Sequence, residues 1–229
     1  MKCDVIIPCY NEAKRLPVTL KHLDNYQGEH QLNIIIVDDG SKDETVTIAQ
    51  AYQSAHTIDV VTVPRNKGKG FALKQGVLKS AAPYVLLYDA DAATAIANID
   101  TFFTVMKNGA DIVIGNRTME KKHVQMSWHR RIIGRVYFYL TKPLLPNVQD
   151  AACGFKLLKG PLARDLFGVM TIHRFAYDIE LLHLAKKAQL VIKEIPVKWN
   201  DVAGSKVNIV SDGIESLYQV IKLYMRKNR

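Results

Sequence analysis

Short runs of β-branched and other apolar residues recur along the first half of the chain, each closing on a turn-forming or acidic residue: Val5 to Pro8, Ile34 to Asp38, Val60 to Val63, Val85 to Asp89 and Ile112 to Ile114. Runs of this length without polar alternation read as strands covered on both faces. Between them, helical periodicity occupies residues 13–25, 42–54, 69–80 and 98–107, lengths that suit crossover connections between parallel strands. The first 115 residues are therefore expected to be α/β with a mainly parallel sheet. The second helix opens with Ser41-Lys42-Asp43-Glu44, a Ser and a Glu at the spacing of a capping box.

After residue 115 the alternation weakens. A basic amphipathic helix is expected near 128–142, a short strand at 155–158, a helix near 176–188 and a strand from Val191 to Val197. A last helix, from 211 to 226, would put Ile214, Leu217, Val220, Ile221 and Tyr224 on one apolar face, with Lys222 and Arg226 at its end. There is no internal repeat. The pattern predicts one domain over 1–229, an α/β part over 1–115 followed by an acceptor-side extension over 116–229.

Composition adds a sign and a location. The 31 Lys and Arg against 22 Asp and Glu leave a formal charge of +9, which suits phosphate-bearing ligands, nucleic acid or an anionic membrane. The excess is concentrated at residues 117–142, with seven basic residues and one Glu, and at 222–229, with four and no acid. Cys3, Cys9 and Cys153 have neither the even count of a disulfide framework nor metal-ligand spacing, so reduced thiols are expected. No signal peptide is expected ahead of Cys3 to Ile7, and no apolar stretch reaches spanning length. His123, His129, His173 and His183 lack ligand spacing and read as structural.

In open α/β sheets ligands bind beyond the carboxyl ends of the strands. Three polar clusters fall there: Pro8-Cys9-Tyr10-Asn11-Glu12, Asp38-Asp39-Gly40-Ser41 and Asp89-Ala90-Asp91. Asp89 and Asp91 flank one small residue, so both carboxylates can address one hard divalent cation, Mg²⁺ or Mn²⁺; a solvated turn is the alternative. Asp39 can accept hydrogen bonds from a ribose or base, or the segment is simply a strand-to-helix turn. Asn66-Lys67-Gly68-Lys69-Gly70 precedes a helix and can offer backbone donors and two ammonium groups to a diphosphate, or serve as a flexible turn; it lacks the Walker A spacing.

Taken together, these motifs resemble the nucleotide-binding series of inverting family 2 glycosyltransferases of the GT-A fold, an α/β architecture with a Rossmann-like, mainly parallel sheet flanked by helices. The resemblance rests on Val5 to Glu12, Ile36 to Asp43, Gly68-Lys69-Gly70 and Asp89-Ala90-Asp91, in that order. In the second half, Asp150 to Lys156, Arg174 to Leu182 and Val197 to Asn200 continuing to Gly204-Ser205-Lys206 are similar to the acceptor-side motifs of dolichyl-phosphate and polyprenyl-phosphate β-glucosyltransferases. The resemblance implies that Pro8, Tyr10, Glu12, Asp39, Lys69, Asp89 and Ala90 hold the nucleotide sugar and that Asp89 and Asp91 hold the metal. It further implies that Arg117, Arg131 and Lys206 serve the phosphates, with Arg130 or Arg135 as substitutes for Arg131, and that Asp150 and Asp178 stand beside the reacting sugar. Ala92, where these relatives usually carry Gly, and Ala151-Ala152, where they carry Thr-Gln, depart from the pattern.

The implied reaction is transfer of a sugar, glucose from UDP-glucose, to a polyprenyl phosphate, with inversion at the anomeric carbon. Such a chain would sit peripherally on the cytoplasmic face of an anionic membrane. The basic helix near 128–142 can dip apolar residues into that interface, or face the core with a solvated basic side. The alternatives are another nucleotide sugar such as GDP-mannose or UDP-N-acetylglucosamine, a saccharide acceptor, or a non-catalytic nucleotide-sugar sensor. No nucleic-acid motif is present, and none is expected as a partner.

Overall fold

A computed structural model of the chain describes residues 1–118, 139–199 and 209–227. Seven strands are described: β1 (Lys2–Cys9), β2 (Gln31–Asp38), β3 (Thr57–Thr62), β4 (Tyr84–Leu87), β5 (Ile112–Asn116), β6 (Lys156–Lys159) and β7 (Ile192–Pro196). They form one sheet in the order β3-β2-β1-β4-β6-β5-β7. β1 pairs in parallel with β2 and β4, β2 with β3, and β5 with β7, whereas β6 runs antiparallel to both β4 and β5. The Val and Ile runs of β1, β2, β4 and β5 are buried, as strands covered on both faces must be.

The helices are α1 (Leu16–Asp24), α2 (Thr45–Ala51), α3 (Lys69–Lys79), α4 (Asn98–Lys107), α5 (Gly160–Val169), α6 (Tyr177–Lys187) and α7 (Ile209–Lys227). α1 opens with proline in its first turn, where the missing N–H costs nothing. α4 buries Ile99, Phe102, Phe103 and Met106 at helical spacing against the sheet. α3 packs tightly on the strands at Gly76: a Cβ there would lie 2.3 Å from Ile6 Cγ2 and 2.9 Å from Val37 Cγ2.

Three expectations change. α5 was not foreseen, because Gly160-Pro161 reads as a turn, yet Pro is tolerated in a helix's first turn. The capping box at Ser41 is not formed. α2 begins at Thr45, whose N–H reaches Asp43 Oδ1 at 3.0 Å, while Ser41 Oγ accepts the Asn11 N–H at 2.8 Å. On α7, Val220 and Leu223 are buried, but Ile221, expected on the covered face, is exposed. The basic helix expected near 128–142 lies largely outside the described residues, as do Arg130, Arg131, Arg135 and Lys206.

Strand direction decides what reaches the functional edge. Parallel strands deliver their carboxyl ends there: β1 runs into Tyr10, β2 into Asp39 and β4 into Asp89. The antiparallel β6 delivers its entry instead, since Lys156 pairs across from Leu87 and Ile114. Asp150 to Phe155 therefore arrive at the same edge from the opposite chain direction.

Gly76→Ala should destabilise the protein by about 1–3 kcal/mol, because the new methyl overlaps two buried side chains. Urea denaturation reads the change, and an unshifted midpoint would mean that α3 can lift from the sheet.

Candidate functional site

The Asp89-Ala90-Asp91 turn is held from both sides. Ala90 O accepts the Thr19 hydroxyl of α1 at 2.7 Å, and the Tyr88 hydroxyl reaches Thr94 O at 2.8 Å. Within the turn, Asp91 Oδ1 accepts the Ala93 N–H at 3.0 Å. Ala92 adopts φ +52°, the left-handed region that a Cβ disfavours. The residue that departs from the usual glycine thus stands where glycine would be relaxed.

Asp89 is clamped between a cation and a glycine. Lys69 Nζ lies 2.5 Å from its Oδ1, and Gly154 packs so closely that a Cβ would lie 2.0 Å from its Oδ2. Burial alone would push the Asp89 carboxyl up, but the Lys69 ammonium outweighs it, with Lys156 and Arg117 adding, and holds the group below the ordinary carboxylate value. Burial works against the charged Lys69 as well, and the surrounding Asp89, Asp178 and Asp91 carboxylates more than restore it.

Asp150 is bound just as closely. Arg117 Nε and Nη2 each donate to its carboxylate at 2.8 Å, the Arg117 backbone N–H does so at 3.0 Å, and the pair outweighs burial to hold the carboxyl low. Arg117 also stands 5.9 Å from the Trp199 ring centroid. Asp178, near the start of α6, pairs with Lys156 Nζ, an ammonium fully removed from solvent that also donates to Cys153 O at 2.6 Å. Burial raises the Cys153 thiol, so this sulfur is not a thiolate nucleophile.

Beyond the end of β2, Asp39 accepts the backbone N–H groups of Lys67 at 2.9 Å and Gly68 at 2.7 Å. Two of the loop donors expected for a diphosphate are therefore taken by Asp39, and the Phe71 N–H goes to His173 O at 2.9 Å. Burial raises Asp39 even against those two donors. Glu12 forms a two-pronged pair with Arg15, at 2.6 Å from Nε and 2.5 Å from Nη2. Pro8 and Tyr10 are half-buried at the rim.

A small cleft is lined by Asp89, Asp91, Thr94, Arg117, Gly154 and Trp199, among others. The fold thus gathers Asp89, Ala90, Asp91, Lys69, Arg117, Asp150 and Asp178, with Asp39 on the adjoining loop. It gives no account of Arg131 and Lys206, which lie outside the described residues. Lys156, Trp199 and Arg15 were not singled out individually from sequence. Lys156 and Trp199 stand inside quoted motifs, and the signal in Lys156 is a cation among Phe155, Leu157 and Leu158 in the strand expected at 155–158.

Strand order, the acidic turn after β4 and the antiparallel β6 define a nucleotide-sugar transferase of the GT-A fold. The pattern of glycosyl transferase family 2 matches residues 4–167, and the chain belongs to that family.

Among its relatives, the dolichyl-phosphate beta-glucosyltransferase of Dictyostelium discoideum is 33% identical over 240 residues, covering 97% of this chain and 73% of that protein. The Mus musculus protein of the same name is 34% identical, covering 89% of this chain and 68% of its own length. Among solved structures, glucosyl-3-phosphoglycerate synthase from Mycobacterium tuberculosis, in complex with Mn²⁺, UDP-glucose and phosphoglyceric acid, superposes with TM-score 0.70 at 17% identity over 96% of this chain and 79% of that one. S. aureus TarS 1-349 in complex with UDP-GlcNAc gives TM-score 0.66 at 16% identity, over 96% and 65%. At these identities the two structures establish the shared fold.

Two outcomes follow from the geometry. Gly154→Ala should lower turnover by at least about tenfold, since displacing Asp89 by a fraction of an ångström misplaces the group it orients. Ala92→Gly should instead stabilise the chain by about 0.5–1 kcal/mol in denaturant while keeping turnover. Equal effects of the two would contradict the packing described. For acid stability the sign is set by depressed carboxyls: the contribution of Asp150 is present above its unfolded value, about pH 4, and is lost as pH falls through its lower folded value. Asp150→Asn should therefore flatten the decline of stability below about pH 4 in denaturation at stepped pH.

Proposed function

We propose that this transferase moves glucose from UDP-glucose to a polyprenyl phosphate of the dolichyl type, with inversion at the anomeric carbon. The names of its relatives support that donor and acceptor. The observation that carries the reading is the pairing of both acceptor-side carboxylates. Asp150 is committed to Arg117 and Asp178 to Lys156, so neither is a spare proton acceptor. An acceptor that is a phosphate monoester already carries its negative charge at neutral pH and needs no base. Asp150 and Asp178 then orient cations around the reacting sugar, and Arg131 and Lys206 are assigned to the phosphates.

Asp89 and Asp91 fit a divalent cation: both are hard oxygen donors on one rigid turn. Among the described residues no three His, Cys, Asp or Glu side chains converge on one point, so the ion would complete its shell with substrate oxygens and water, as Mg²⁺ and Mn²⁺ do. When bound, such an ion compensates charge on the leaving diphosphate. The chain's own share of that work falls to Lys69 and Arg117, fixed cations on the same edge. Pro8, Tyr10, Glu12 and Asp39 border the nucleoside side, with Ala90 between the two metal-side acids.

We read residues 1–115 as the donor part and 116–229 as the acceptor part of one domain, whose unity is supported by a single sheet that draws strands from both. No described helix is long and apolar enough to cross a membrane. We place the chain peripherally on the cytoplasmic face of an anionic membrane; attachment to such a surface, though not the choice of face, is supported by α7, which exposes Tyr218, Ile221 and Met225 in one stripe beside Lys222, while Tyr139 is exposed next to Leu140, whose carbonyl accepts the α7 Tyr224 hydroxyl.

The test supplies labelled UDP-glucose and polyprenyl phosphate in anionic vesicles with Mg²⁺ or Mn²⁺. Label should enter the lipid with metal present and stop on chelation, with Asp91→Asn falling by about a hundredfold or more. Glucose transfer to a soluble saccharide, with the lipid untouched, would overturn the acceptor; transfer from GDP-mannose alone would overturn the donor.

A further inference from the structure

Glu194 lies on β7, the strand at the edge of the sheet, opposite Ile114 of β5. Its carboxylate grips the chain that carries Asp150: Oε1 accepts the backbone N–H of Asp150 at 2.8 Å, and the Gln149 N–H reaches both oxygens, at 3.0 and 2.9 Å. The same Oε1 accepts Asn116 Nδ2 at 3.3 Å. Asn116 is fully buried at the end of β5, and its Oδ1 takes the Thr118 N–H at 2.9 Å and hydroxyl at 2.7 Å.

The two segments pinned by Glu194, Asn116 to Thr118 and Gln149-Asp150, are the same two that the Arg117–Asp150 pair joins from the other side. Arg117 has no partner in a strand ladder beyond Asn116, so its place over the cleft depends on where Asp150 is held. Asp150 in turn has its backbone fixed by Glu194 and its side chain spent on Arg117. A carboxylate that accepts backbone N–H groups in this way sets the position of a loop by strong, charge-assisted bonds.

We propose that Glu194 is a positioning residue for the transfer: it locks Gln149-Asp150 to the end of β5 and so fixes the Arg117 guanidinium beside Asp89 and Asp91. This rests on the proposed reaction for its kinetic consequence, but the lock itself is a statement about two backbone amides. It gives Glu194 a role through Asp150 and Arg117, without contact to either substrate.

Glu194→Gln and Glu194→Ala separate the possibilities. Amide hydrogen exchange, read on peptides spanning Gln149 and Asp150, should accelerate by about tenfold or more in Glu194→Ala and less in Glu194→Gln, with β1 and β2 peptides unchanged. In the transfer assay kcat should fall by about tenfold to a hundredfold in Glu194→Ala, with the KM for UDP-glucose within about threefold, and Glu194→Gln should recover part of the loss. In a double-mutant cycle, adding Asp150→Asn to either variant should cost far less than it costs the wild type, since both substitutions act through the placement of Arg117. Additive losses, or unchanged exchange at Gln149 and Asp150, would overturn the lock. Should Glu194→Ala fail to fold, the Glu194→Gln cycle decides alone. Should the wild type transfer no glucose to lipid, the proposed reaction falls, and the exchange experiment still tests the lock.

Discussion

Asp89, Asp91, Asp150 and Asp178 stand along one edge of a single sheet, and carboxylates crowded into a half-buried rim repel one another and resist losing their water. The chain answers with one cation for each of three of them: Lys69 for Asp89, Arg117 for Asp150 and Lys156 for Asp178. Where no cation is supplied, N–H groups are: two for Asp39 and three for Glu194. Asp91 is the exception: among the described residues no ion pair involves it, and it is only half-buried.

These pairs also tie distant parts of the chain together. Lys69 begins α3 and Asp89 ends β4; Lys156 begins β6 and Asp178 lies on α6. A buried pair such as Lys156–Asp178 adds little net stability over an apolar pair of similar size, but losing one partner strands a charge. Its value here is geometric: it fixes α6 against the strand that brings Gly154 under Asp89. The antiparallel direction of β6 is what makes that possible, because a parallel strand in its place would present its far end at this edge.

The parallel half of the fold was legible because it depends on local pattern. Val5 to Pro8, Ile34 to Asp38 and Val85 to Asp89 are continuous apolar runs ending in polar residues, and both properties survive burial unchanged. The acids at the strand ends could be found for the same reason. The partners of those acids could not: Asp39 reaches Lys67 and Gly68, Arg117 reaches Asp150, and Glu194 reaches Asn116 across the sheet, separations over which sequence spacing carries no information. Ser41 shows a related failure. Its spacing to Glu44 satisfies a local rule, but the neighbouring loop offers the Asn11 N–H and wins the hydroxyl. On α7 the apolar period was visible while the choice of covered face was not, because that helix carries apolar residues on more than one side.

The paired acids bear on how the two substrates are told apart. A hydroxyl acceptor requires a group that can take its proton as the bond forms, and a carboxylate already sharing both oxygens with a guanidinium is a poor one, its basicity lowered by the cation it holds. A phosphate acceptor requires cations at the right distance, held rigidly, and a way to keep two anionic ligands from repelling each other. Lys69 pairs with Asp89, and Arg117 lines the cleft that Asp89 and Asp91 also line, so fixed positive charge borders that cleft from two parts of the chain. Their fixed geometry means that little reorganisation remains to be done when charge shifts from the attacking oxygen to the departing diphosphate, which is the condition under which electrostatic stabilisation lowers a barrier most.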